Sequence, residues 1–98
     1  MTTYKPPSHL DKPAKALWRS IGNDLEMDAA GAMMLTLLCE NWQRREQART
    51  EIEKLGAVTL DRFKQPKPSP WCAIERDCTL AIQRCFRALG LDLAPEAK

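Results

Sequence analysis

The chain has 98 residues and a mass of 11.1 kDa, room for one domain and one core. With 44% apolar and 29% charged residues it is neither a disordered nor a collagen-like sequence, and a formal charge of +2 selects no partner by itself. The longest apolar run, Ala29 to Cys39, is broken by Gly31 and Thr36 and falls short of the roughly 18 residues of a membrane span, so no membrane partner is expected.

Residues 1–10 carry Pro6, Pro7 and Ser8 with, after Met1, only Tyr4 and Leu10 as large apolar side chains, which predicts an extended, mobile arm rather than a signal peptide. Asp11 is a good N-cap and Pro13 suits a first helical turn. Leu17, Trp18, Ile21 and Leu25 follow at helical spacing, predicting a first helix over residues 11–26 with Lys12, Lys15 and Arg19 on its other face. Asp28 caps a second helix that meets no proline before Leu55 and stops at Gly56. Met34, Leu38, Trp42, Ala48, Ile52 and Leu55 recur along it at helical steps. Its first half is apolar nearly all round and its second half is highly charged.

Residues 57–70 change character. Val58 and Leu60 alternate, Phe63 stands among Arg62, Lys64 and Lys67, and Pro66, Pro68 and Pro70 forbid a helix. This predicts a short loop or β-hairpin, with Phe63 as its core anchor. A third helix begins at Ser69 or Pro70, runs to Leu89 and stops at Gly90. Trp71, Ile74, Cys78, Ile82, Cys85 and Leu89 form a near-heptad apolar stripe along it. The fold class predicted is all-α: one helical domain over residues 1–98, with the arm at 1–10, a helical core at 11–89 and a tail at 90–98.

Length predicts self-association. An unbroken helix over residues 29–55 is about 40 Å long at 1.5 Å per residue. A compact chain of this size has a diameter of roughly 33 Å. A bent helix would resolve the mismatch; an assembly larger than a dimer resolves it without bending. The expected oligomer contacts are Met34, Leu38, Trp42, Trp71, Ile74, Cys78, Ile82, Cys85 and Leu89.

Chemistry is sparse. Cys39, Cys72, Cys78 and Cys85 have no zinc-site spacing, and His9, the lone histidine, sits in the arm, so neither metal nor cofactor is expected and the thiols read as buried hydrophobes. Asp24, Glu26 and Asp28 cluster at a helix junction, where capping explains them better than a nuclease does. Gly22, Gly31, Gly56 and Gly90 are dispersed, so there is no phosphate-binding loop and no sign of an enzyme. Trp18, Trp42, Trp71 and Phe86 sit at apolar helical positions and read as core or subunit contacts.

The basic residues say more. Lys5, Lys12, Lys15 and Arg19 against Asp11 leave three net positive charges in the first 22 residues, and Arg62, Lys64 and Lys67 against Asp61 leave two in the 57–70 loop. These seven cations are the candidate contacts to double-stranded DNA phosphates, with a solvated surface as the plain alternative. Arg44, Arg45 and Arg49 are a further basic run, offset by Glu40, Glu46 and Glu51.

The order of these features resembles a known family. Pro6-Pro7-Ser8-His9-Leu10 followed by Ala14-Lys15-Ala16-Leu17-Trp18, Leu37-Leu38-Cys39, the Leu55-Gly56 stop, Lys67-Pro68-Ser69-Pro70 and Ala88-Leu89-Gly90-Leu91 are together similar to the short, all-helical small terminase subunits of tailed bacteriophages. Two positions depart from that pattern. Leu93 stands where the family has proline, with Pro95 two residues on, and Gln65 and Pro66 replace a glycine before the lysine. The resemblance implies a non-catalytic packaging subunit in the host cytoplasm. It would form a ring, recognise the viral genome and present it to a large terminase subunit that carries the ATPase and nuclease. Two other readings stay open: a small helix-turn-helix regulator built on the first two helices, and an interaction subunit that binds only protein.

Overall fold

The computed structural model describes residues 4–91, and the expected tail beyond Leu91, with Leu93 and Pro95, lies outside them. Its elements in chain order are α1 (Lys12–Gly22), α2 (Ala29–Leu55), β1 (Val58–Leu60), β2 (Pro66–Pro68) and α3 (Pro70–Leu89). The fold is all-α with a two-stranded antiparallel hairpin before the last helix, as the sequence predicts.

Each helix starts where a side chain supplies the missing acceptor. Asp11 Oδ1 accepts from Ala14 N at 2.9 Å, Asp28 Oδ1 from Gly31 N at 2.7 Å and Ser69 Oγ from Trp71 N at 3.2 Å. α3 ends at Gly90 in the left-handed region (φ 75°), where glycine pays no Cβ penalty. α1 is shorter than its periodicity predicts: it stops at Gly22, and Asn23-Asp24 turn the chain, with Asp24 N donating to Ile21 O and Leu25 N to Gly22 O. Gly22 is also a close approach. A Cβ there would meet Met27 Cε at 3.1 Å, so the connection folds back over the helix end and Met27 packs on the core.

α2 is one continuous helix and serves as the spine. α3 returns antiparallel along it in a single register: Arg49 pairs with Glu75 at 3.7 Å, Arg45 Nε donates to Thr79 Oγ1 at 2.8 Å, and Cys39 and Cys85 share the same core cluster. α1 crosses the N-terminal half of α2, where Trp18 Nε1 donates to Thr36 Oγ1 at 3.2 Å. Leu10, Ala14, Trp18, Leu35, Leu38, Cys39 and Cys85 form the shared core; Ala48 and Cys78 are buried further along the α2–α3 seam.

The arm is docked from Tyr4 to Leu10. Leu10 is buried, Tyr4 packs half-buried on the core, His9 Nε2 meets Glu40 Oε2 at 2.6 Å, and Asp11 N donates to Gln43 Oε1. Leucine burial of this kind is worth about 2 kcal/mol, which is what a proline-rich composition alone does not reveal. The molecule is an elongated slab of 59 × 36 × 18 Å with a radius of gyration of 16.4 Å, against roughly 13 Å for a compact chain of this length. The long helix is therefore accommodated, uninterrupted, by elongation of the protomer. No helix among the described residues is long and apolar enough to cross a membrane.

Candidate nucleic-acid interface

On α1, Ala14, Leu17, Trp18 and Ile21 face the core, and Lys12, Lys15 and Arg19 fall on the opposite side one to two turns apart. Lys12 and Arg19 are exposed and Lys15 is half-buried. The docked arm adds Lys5 to this side. Lys5 and Arg19 line one open cleft of about 580 Å³ together with Tyr4, Trp18, Glu26 and Met27. Two cations from different elements thus share a cleft with a half-buried aromatic ring and with Glu26.

The second basic group sits on the hairpin. Asp61 Oδ1 accepts from both Phe63 N and Gln65 N, at 2.8 and 2.9 Å, and Asp61 N donates to Gln65 O, which closes a tight tip. Lys64 occupies the left-handed region there (φ 62°), and its N–H donates to Asp61 O. Arg62 and Lys64 are exposed at the tip and Lys67 is exposed on β2. Phe63 is no core anchor. It is 69% exposed, and the Arg62 guanidinium lies over its ring at 5.0 Å. A three-residue strand followed by a tight tip leaves the ring no apolar wall to reach.

The seven predicted cations therefore form two groups, on α1 with the arm and on the hairpin. Along the axis of α2, the Trp18–Thr36 contact and the Leu55 end are separated by roughly 30 Å at 1.5 Å per residue. Among the described residues none of the seven takes part in an ion pair; the pairs present are His9–Glu40, Arg45–Glu46, Arg49–Glu75 and Arg76–Asp77. Arg45 and Arg49 instead hold α3 against α2, a role their sequence neighbours did not reveal. Arg44 is exposed and lines a shallow site with His9 and Glu40.

The predicted oligomer contacts are found first inside the protomer. Leu38, Cys78 and Cys85 are buried there, Met34, Trp42, Ile82 and Leu89 pack half-buried on the core, and Trp71 and Ile74 are half-buried near the start of α3. Apolar surface left open lies elsewhere: Met33 and Leu37 on α2, Leu80 on α3, and Leu55, Val58 and Leu60 around the hairpin. Sequence periodicity missed Met33, Leu37 and Leu80 because it marks the stripe a helix buries, not the residues beside it, and it put Leu55 in that stripe although Leu55 is 62% exposed at the end of α2.

The cysteines are all free thiols. Burial pushes the Cys39 thiol up to about 12, with neighbouring Cys85 and the Glu40 carboxylate adding to the shift. Burial also raises Cys78 and Cys85 above the ordinary thiol value. Such groups stay protonated and are poor nucleophiles. Among the described residues no three His, Cys, Asp or Glu side chains gather as a metal site.

A family described as phage terminase, small subunit, matches residues 14–98. The chain belongs to that family. Its role is in phage DNA packaging, and small terminase subunits are in general non-catalytic. Comparison with curated proteins and with solved structures gives no match.

Proposed function

We propose that this chain is the DNA-recognising, non-catalytic subunit of the packaging machine, which binds the phage genome through repeated phosphate contacts and presents it to the large terminase subunit in the host cytoplasm. The observation that carries this reading is the convergence of Lys5 and Arg19, from separate elements, on one open cleft, continued by Lys12 and Lys15 along the same side of α1 and free of ion pairs among the described residues. Unpaired cations from two elements facing one side suit a polyanion better than a scattered solvated surface does. Arg62, Lys64 and Lys67 offer a second set on the hairpin.

Few cations per protomer make single-copy binding weak, and an assembly larger than a dimer multiplies the contacts. Met33, Leu37 and Leu80, exposed on a slab only 18 Å thick, supply apolar area for that assembly. The helix-turn-helix alternative fits less well: the second helix would be the recognition helix, yet α2 opens on Ala29-Ala30-Gly31-Ala32-Met33 and packs its N-terminal half into the core.

The test is a gel-shift series on duplex DNA at several salt concentrations. Lys5→Ala with Arg19→Ala, and separately Lys64→Ala with Lys67→Ala, are expected to weaken binding, to flatten the salt slope by about 0.9 per lost phosphate contact and to leave the assembly mass unchanged. Unchanged DNA retention in both double variants would overturn the reading in favour of a subunit that contacts only protein.

A further inference from the structure

The hairpin has one edge that accepts a strand and one that cannot. Its cross-strand partners are Val58 with Pro68, Thr59 with Lys67 and Leu60 with Pro66. The backbone bonds Ser69 N to Ala57 O (2.8 Å) and Asp61 N to Gln65 O (3.0 Å) flank these pairs. In an antiparallel ladder hydrogen-bonded and non-hydrogen-bonded pairs alternate. Thr59–Lys67 is therefore the hydrogen-bonded pair within β1–β2, and the backbone groups of residues 58, 60, 66 and 68 point outward. On β2 both outward positions are proline and have no N–H, so that edge is blunted. On β1 the outward N–H and C=O groups of Val58 and Leu60 are intact, and the backbone bonds found outside the regular elements include none to them.

We propose that β1 is a self-pairing edge: two copies of this chain join β1 to β1 antiparallel about Thr59, giving a four-stranded sheet in the order β2–β1–β1–β2. The chain selects this occupant in three ways. Of its described extended segments, β2 and the Tyr4–Pro7 arm each carry two prolines and cannot complete a ladder, which leaves β1 as the partner of β1. The two-fold register sets Val58 opposite Leu60 of the second copy, and the reverse. Because directly opposed residues share a face, Val58, Leu60, Pro66 and Pro68 of both copies then form one continuous apolar face, where a lone hairpin leaves Val58 59% and Leu60 62% exposed. Third, antiparallel pairing brings each cationic tip, with Arg62, level with the base of the other hairpin, where the C-terminal end of α2 presents a negative dipole and where Glu51 and Glu53 outnumber Lys54 by one charge. Both outer edges of the product are proline-blunted, so the contact closes at two copies and does not propagate into fibres.

Disulfide trapping tests it. At the two-fold axis the two Thr59 residues form a non-hydrogen-bonded pair with Cα atoms about 4.5 Å apart, inside the roughly 4.4–6.8 Å span of a disulfide. The variant Thr59→Cys in a Cys72→Ser background is expected to give mostly covalent dimer under mild oxidant. Lys67→Cys in the same background sits three strand spacings, about 14 Å, from its counterpart and is expected to stay monomeric on a non-reducing gel. Equal cross-linking of the two variants, or none at Thr59→Cys, overturns self-pairing and leaves the edge to a strand of another protein. Leu60→Pro removes one outward donor and no bond of the hairpin itself, and is expected to lower the solution mass at least twofold; an unchanged mass in a folded Leu60→Pro variant overturns the proposal independently. Neither readout involves DNA, so the outcome is separate from the packaging role.

Discussion

Trp18 donates its indole N–H to Thr36 Oγ1 at 3.2 Å, and Thr36 in turn donates to Ala32 O at 2.9 Å, so a side-chain bond that ties α1 to α2 is relayed into the backbone of the second helix. Trp18 is 4% exposed, so solvent is a poor substitute for that acceptor. Thr36→Val keeps the shape and orphans that donor. The expected loss is about 1–2 kcal/mol, read as a lower thermal midpoint. Trp18→Phe alone removes the donor together with packing volume. Adding Thr36→Val to Trp18→Phe is expected to cost less than Thr36→Val alone, because no donor is left to orphan. Simple additivity would show that the bond does not couple the helices.

The docked arm gives a second test. Leu10→Ala is expected to cost about 2–4 kcal/mol, the usual range for a buried leucine truncation. It is also expected to speed amide hydrogen exchange at position 10, whose N–H in the parent is bonded to Pro7 O at 3.3 Å. Glu40→Gln, which touches only the exposed end of the arm at His9, is expected to change stability by less than about 1 kcal/mol. If the two variants behave alike, the His9–Glu40 contact holds the arm as much as the leucine does.

The ends of α2 and α3 were legible because caps are local: Asp28, Gly56, Ser69 and Gly90 announce themselves whatever lies beyond them. The end of α1 was not, because Leu25 continues the apolar period while Gly22-Asn23-Asp24 turns the chain, and the turn prevails once Met27 can cover the core in place of Leu25. The docking of Leu10 and the use of Arg45 and Arg49 as α2–α3 ties depend on partners some 30 positions away, which no local pattern encodes. For the candidate site, the charges of Lys5 and Arg19 were visible, but their meeting in one cleft required the arm to be folded back.

The thiols predict both a labelling order and a pH limit. Cys39, Cys78 and Cys85 are buried with raised pKa values, whereas Cys72 is half-buried with Sγ 3.7 Å from Ala57 O. In the native protein at neutral pH an alkylating reagent is expected to modify Cys72 first, and the other three only on unfolding. Since the folded protein holds the Cys39 proton more tightly than the unfolded chain, the stability from its neutral form is complete below pH 9. It is lost as pH rises from 9 toward about 12. A denaturation midpoint falling over that window, and falling less in a folded Cys39→Ala variant, checks the sign. Fast labelling of Cys39 at pH 7 would show that the core opens.

Lys64 allows charge and shape at the hairpin tip to be separated. It sits at φ 62°, a region that costs a residue with a Cβ about 1 kcal/mol or more relative to glycine. Lys64→Gly relieves that strain and removes the charge; Lys64→Ala removes the same charge and keeps the strain. The glycine variant is therefore expected to be at least as stable as the parent and to melt above the alanine variant, as circular dichroism melts will show. Identical melting of the two would mean that the left-handed turn is not held in solution. For duplex DNA the expectation is different. If Lys64 acts through its ammonium group on a phosphate, both variants lose affinity equally and both flatten the salt slope by about 0.9. Should glycine weaken binding more than alanine, the tip contributes by its rigidity, with Asp61 holding the N–H groups of Phe63 and Gln65 to present Arg62 and the exposed Phe63 ring. If neither variant alters the affinity or the slope, Lys64 carries no DNA contact, and binding rests on the α1 side, where Lys5 and Arg19 share their cleft.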